Sequence, residues 1–172
     1  MNIETNRRFN RIADLQRFDQ WLKYRGRGLY SGPYEIIPAT LYDTLVYTSG
    51  VTYRLDFFNN IRATYEESNM MMPGLLPSPC SFMIDSIAIE GITSKLRTGY
   101  SRLVLGHKHY GSNPAWTYGL KSRGMCIYPK IIIPPLMPFR FEISWNEGKD
   151  LTPIMNHPLE VVLFGMMARP IQ

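Results

Sequence analysis

Hydrophobic positions along the chain change their period once. Over Phe9, Ile12, Leu15, Phe18 and Leu22 they recur every three or four residues, with the arginines mostly between them. That spacing predicts an amphipathic helix of about four turns. The segment "YRGRG" ends it, where Gly26 and Gly28 release the chain. A helix this short is marginal alone, so its apolar stripe must be buried on its own domain or on a neighbouring subunit.

From Leu29 onward the pattern turns to strands. "YDTLVYTS" and "TYRLDFFN" are rich in β-branched and aromatic residues and are joined by a turn at Ser49-Gly50. "CSFMIDSIAIEGI" alternates around Phe82, Ile84, Ile87 and Ile89 and predicts a long strand. "SRLVLGHKHY" predicts another, "AWTYGL" a short one and "MCIYPKIII" another. Pro134 and Pro135 break the chain before "PFRFEISWN", where Phe139, Phe141, Ile143 and Trp145 fall on one face. "LEVVLFGMMA" is the last strand. The expected fold is therefore all-β: an eight-stranded jelly-roll sandwich with an N-terminal amphipathic helical arm. The long connections at 60–80 and 146–157 suit crossings between two sheets. The expected division is an arm over residues 1–28 and a β-sandwich over 29–172.

Composition supports this reading. A chain of 172 residues with 45% hydrophobic and 19% charged residues can bury a core without staples. Thirteen prolines and thirteen glycines imply many turns, as a β-rich fold requires. No apolar run approaches the roughly 18 residues of a membrane span. The N-terminal "MNIETNRRFNRIADLQRF" lacks the apolar stretch of a signal peptide. Cys80 and Cys126 form no metal-spacing pattern and are expected as free thiols in a reducing cytoplasm.

Charge is distributed unevenly. The net charge is +5, and the arm carries Arg7, Arg8, Arg11, Arg17, Lys23, Arg25 and Arg27 against Glu4, Asp14 and Asp19, or +4 of it. A basic arm can meet nucleic acid, an anionic membrane or acidic protein surfaces; the plainer alternative is a solvated helix face.

The closing third, "GMCIYPKIIIPPLMPFRFEISWNEG…HPLEVVLFGMMARPIQ", resembles the last strands of single jelly-roll virion proteins of tailless icosahedral viruses, bacteriophages included. It shares a proline-broken connection (Ile133-Pro134-Pro135), an aromatic alternating strand and a final hydrophobic strand. The resemblance is architectural and covers residues 38–172. It implies a structural, non-enzymatic subunit of a virion, assembled in the host cytoplasm through contacts with itself and other virion proteins. A capsid, vertex or minor shell position fits the chain's length. Under this resemblance the arm (Arg7, Arg8, Arg11, Phe18, Trp21, Leu22) reaches a neighbour, and its removal would leave a folded β domain. The apolar run "NMMMPGLLP" adds Met70, Met71, Met72, Leu75 and Leu76 to the expected interface, because three consecutive methionines cannot all face one core.

Two alternatives stand beside this reading. A carbohydrate- or receptor-binding jelly roll would use Trp116 and Tyr118 as a stacking platform. A cupin-type metalloenzyme would use His107 and His109, spaced His-x-His on one strand face, with His157 as a third ligand. That pattern also calls for a carboxylate about four residues on, where this chain offers Gly111, Ser112 and Asn113. The His pair therefore fails the ligand count, and no cofactor is implied. Asp85 and Glu90, at odd separation in one strand, are expected on opposite faces and form no carboxylate pair.

Overall fold

In the computed structural model of the chain, residues 3–24, 32–48, 52–59, 67–93, 96–114, 125–145 and 156–171 are described. One helix, α1 (Ile3–Tyr24), precedes eight strands among these residues. They are β1 (Tyr34–Tyr47), β2 (Arg54–Phe57), β3 (Ser81–Glu90), β4 (Tyr100–Leu105), β5 (Lys108–Pro114), β6 (Met125–Ile133), β7 (Phe139–Ser144) and β8 (His157–Pro170). They form two four-stranded antiparallel sheets, β1-β8-β3-β6 and β2-β7-β4-β5. The chain is an all-β sandwich with a helix laid on one face.

Alternation builds the core. Phe82, Ile84, Ile87 and Ile89 from β3 and Leu159, Val161 and Leu163 from β8 face Leu55 and Phe57 from β2, Leu103 from β4, and Phe139, Phe141 and Ile143 from β7. All are buried and form one apolar cluster between the sheets. Every second residue of a strand points the same way, so each strand supplies one inward row.

Among the described strands, successive members lie in opposite sheets except β4 and β5. The segment expected as a single strand, "SRLVLGHKHY", is a hairpin: β4 and β5 pair from Leu105↔Lys108 outward. Gly106, at φ +58°, is the first of its two turn residues. Glycine takes a positive φ without the Cβ penalty, and two-residue hairpins demand such a turn. The Gly106 amide donates to the Pro138 carbonyl at 2.7 Å, tying this turn to the one between β6 and β7. The expected strand "AWTYGL" lies outside the described residues.

A bulge in β3 changes which side chains share a face. Ile84 pairs with Gly165 and Ser86 with Phe164, so Asp85 is an extra residue opposite no partner on β8. The parity argument for Asp85 and Glu90 fails here, because the inserted residue shifts the alternation by one. Asp85 meets Lys130 at 3.4 Å, and Lys130 also meets Asp14 of α1 at 3.8 Å. Asp85 thus lies on the helix side of the sheet. At Gly165 the neighbouring strand β3 leaves no room for a side chain: a Cβ would sit 1.9 Å from the Met83 carbonyl oxygen.

α1 docks on its own domain. Phe18 and Leu22 are buried against Met83, Met166 and Ala168 on the outer face of the first sheet. Leu15, Trp21, Tyr34, Ile36 and Ile132 pack around them. The Tyr34 hydroxyl donates to Asp19 at 2.6 Å, and Lys23 pairs with Asp19 at 2.7 Å. This corrects the expectation that the stripe is saved for a neighbour. The apolar outward residues Met83, Met166 and Ile36 need a cover, and the helix is covalently nearest. Ile12 does not share in the docking and is 53% exposed.

Candidate functional site

The order of connections sorts the loops into two ends. The β2–β3, β4–β5 and β6–β7 connections lie at one end of the sandwich. The β3–β4 connection and the start of β8 lie at the other. The first end is bound together through backbone hydrogen bonds. The Phe139 amide donates to the Gly74 carbonyl at 2.8 Å, and the Leu136 amide donates to the Leu76 carbonyl at 3.1 Å.

This end divides the apolar run of the β2–β3 loop. Met70 and Leu76 are buried in the core of the chain itself, so the expectation that they meet a partner is corrected. Met72 and Leu75 are half-buried and pair with each other as an isolated bridge. Met71 alone points out and is 76% exposed. Leu136, 55% exposed, and Met137, 37% exposed, project from the β6–β7 turn at the same end. The sequence reading took "PPLMP" only as a chain break and missed both. The signal was two large apolar residues between prolines, where a turn has no core to put them in.

The three histidines do not meet. His107 is the second residue of the β4–β5 turn, and His109 lies on β5 opposite Val104. His157 begins β8 at the far end, where its Nε2 lies 2.7 Å from the Gly91 carbonyl oxygen. Among the described residues no group of three or more His, Cys, Asp or Glu is placed to hold a metal ion.

Of the remaining expected site residues, Arg7, Arg8 and Arg11 lie on α1, but their side chains fall outside what is described. Phe18 and Leu22 are buried within the chain, and Trp21 is half-buried beside them. Trp116 and Tyr118 lie outside the described residues.

A second feature lies between β5 and β6. Among the described strands these two end the strand orders of opposite sheets, and a cleft of about 1030 Å³ lies between them. Its origin is local. β6 pairs with β3 at Ile84↔Ile131 and again at Ser86↔Cys126, so residues 127–130 arch away opposite Asp85 alone. Pro129, which cannot donate to a ladder, sits in that arch. Ile87, Leu103, Leu105 and Tyr110, which face the core, line the cleft, and its lining also includes the exposed Lys108 and His107 and the half-buried Trp21 of α1.

The outer face of the second sheet carries a charge cluster that sequence spacing did not indicate. Glu142 on β7 is flanked by Asp56 and Arg102 in register on the neighbouring strands. Its carboxylate accepts from Arg54 Nη2 at 2.7 Å, from Arg140 Nε at 2.6 Å and from Arg102 Nε. Burial pushes the Glu142 carboxyl up, but the hydrogen bonds from Arg102 and Arg140 and the charge of Arg54 outweigh it. The group is held below its ordinary value. The three arginines shade the carboxylate, so its side chain is only 3% exposed although it faces outward. This cluster ties three strands together across the sheet.

No helix among the described residues is long and apolar enough to cross a membrane. The chain matches no protein-family model and no curated protein.

Proposed function

We propose that the chain is a structural virion subunit, a single jelly roll that associates with copies of itself in a capsid, vertex or minor shell position. The observation that carries this reading is the strand order. β1 pairs with β8, β2 with β7, β3 with β6 and β4 with β5. An antiparallel ribbon of four such pairs, wound so that alternate pairs fall in opposite sheets, supports the jelly-roll reading. It agrees with the architectural resemblance of residues 38–172.

Jelly rolls also serve lectins and cupins, so function rests on the surface rather than the fold. The surface that favours assembly is the loop end with Met71, Leu136 and Met137. Large apolar side chains gathered at one exposed end mark a contact site, and methionine packs adaptably against varied partners. The charge of the arm adds a second contact, toward nucleic acid, membrane or other virion proteins.

Light scattering on the purified full-length chain, followed over concentration, tests the reading. The expected result is a closed assembly of many copies that Met71→Asp or Leu136→Asp reverts to a smaller species with an unchanged melting temperature. A chain that stays monomeric up to its solubility limit, or an assembly indifferent to both substitutions, would overturn it.

A further inference from the structure

The cleft between β5 and β6 shares only Met137 with the assembly surface, and the rest of its lining is unused by that reading. Its inner walls are side chains that face the core: Ile87, Leu103, Leu105, Tyr110, Met125 and Ile131. At the rim stands Lys108. It is paired with Leu105 across the hairpin, and directly opposed residues point to the same side of a sheet. Leu105 packs against the core, so Lys108 occupies an inward-facing position that alternation would fill with an apolar residue.

The described lining of the cleft includes the cations Lys108 and Lys130 and no carboxylate, with Asp85 and Asp14 beside Lys130. Lys130 is engaged by Asp85 and Asp14, whereas Lys108 is exposed at the mouth. An apolar slot with a cation at its entrance complements a molecule with a long apolar tail and one anionic end. Ligand pockets span about 300–1,000 Å³ and are mostly apolar with a few placed polar groups, so a cleft of about 1030 Å³ is ample for one such tail.

We propose that this cleft binds a single-chain fatty carboxylate, with its hydrocarbon between the sheets and its carboxylate at Lys108. The proposal does not rest on the assembly reading, since the ligand can be measured on whatever oligomer the chain forms.

The test is displacement of a fluorescent fatty carboxylate from the full-length chain, below micelle-forming concentrations. The competitors are saturated carboxylates of rising length and the matching alcohols. Affinity should rise about fourfold for each added methylene until the tail fills the cleft. Carboxylates should bind more tightly than alcohols of equal length by about fivefold, and Lys108→Gln should abolish that preference while keeping the length dependence. Ile127→Trp, on the arch, should weaken every length about tenfold, as a filled slot would, with an unchanged circular dichroism spectrum. No saturable displacement, or displacement without a length dependence, would overturn the proposal. A carboxylate preference that survives Lys108→Gln would overturn the headgroup assignment and leave Lys108 as a guard of the exposed edge strand.

Discussion

Replacing Phe18 by alanine tests how firmly α1 belongs to the β domain. Phe18 has no solvent exposure, and with Leu22 it forms the centre of the contact with Met83, Met166 and Ala168. Truncating a buried phenylalanine costs about 3–5 kcal/mol when the cavity cannot collapse. α1 can shift more easily than a central strand, so the lower part of that range, about 3 kcal/mol, is expected. For a domain of this size each kcal/mol moves the melting temperature by about 2–4 °C, so Phe18→Ala should lower it by about 6–12 °C. Thermal unfolding followed by circular dichroism measures the shift. Hydrogen exchange on α1 then shows whether the helix frays while the sheets hold. Ile12→Ala is the internal control. Ile12 lies on the same helix at 53% exposure, and its loss should stay within about 0.5 kcal/mol. A Phe18→Ala variant that melts within about 2 °C of the parent would refute the docking, because a helix contributing nothing to stability is not seated on the sheet. The same packing predicts that deleting residues 1–28 bares Met83, Met166 and Ile36 and yields a protein that aggregates on warming.

Three further outcomes follow from single sites. Gly165→Ala places a Cβ 1.9 Å from the Met83 carbonyl oxygen, a backbone contact that cannot yield, so loss of more than about 4 kcal/mol or failure to fold is expected in denaturant titration. The Glu142 carboxyl is depressed in the folded state, so its stabilisation is present above its unfolded value near 4.5 and is lost as pH falls through the lower folded value. Unfolding curves across the acid range should therefore show a steeper acid loss for the parent than for Glu142→Gln, and coincident curves would dismiss the cluster as a pH-sensitive element. Cys80 and Cys126 are both free, but burial pushes the Cys80 thiol up whereas Cys126 is exposed on an edge strand. Thiol titration of the native chain should find Cys126 reacting first and Cys80 lagging until unfolding; equal rates would contradict that difference in environment.

Alternation along the chain determined the inward rows by itself. Phe139, Phe141, Ile143 and Trp145 share one buried face because pleating is a local property with a period of two residues, and the helix over Phe9 to Leu22 was equally local. Tertiary structure decided everything that depends on a partner distant in sequence. The three-residue step from Ile84 to Ile87 in an otherwise two-residue alternation hinted at the extra residue, but only the pairing with β8 shows that Asp85 is the one without a partner. "NMMMPGLLP" reads as one apolar run, yet its fate was settled residue by residue by what stood opposite, with Met70 and Leu76 drawn inward and Met71 left in water. Gly106 carried a visible turn signal inside "LVLGHKHY", but a strand continues through a lone glycine unless the next segment can fold back and pair, and that pairing is tertiary. The choice of the helix between its own sheet and a neighbour was open in sequence because both would bury the same stripe. It was resolved by Met83, Met166 and Ile36, three apolar side chains facing away from the core that had to be covered.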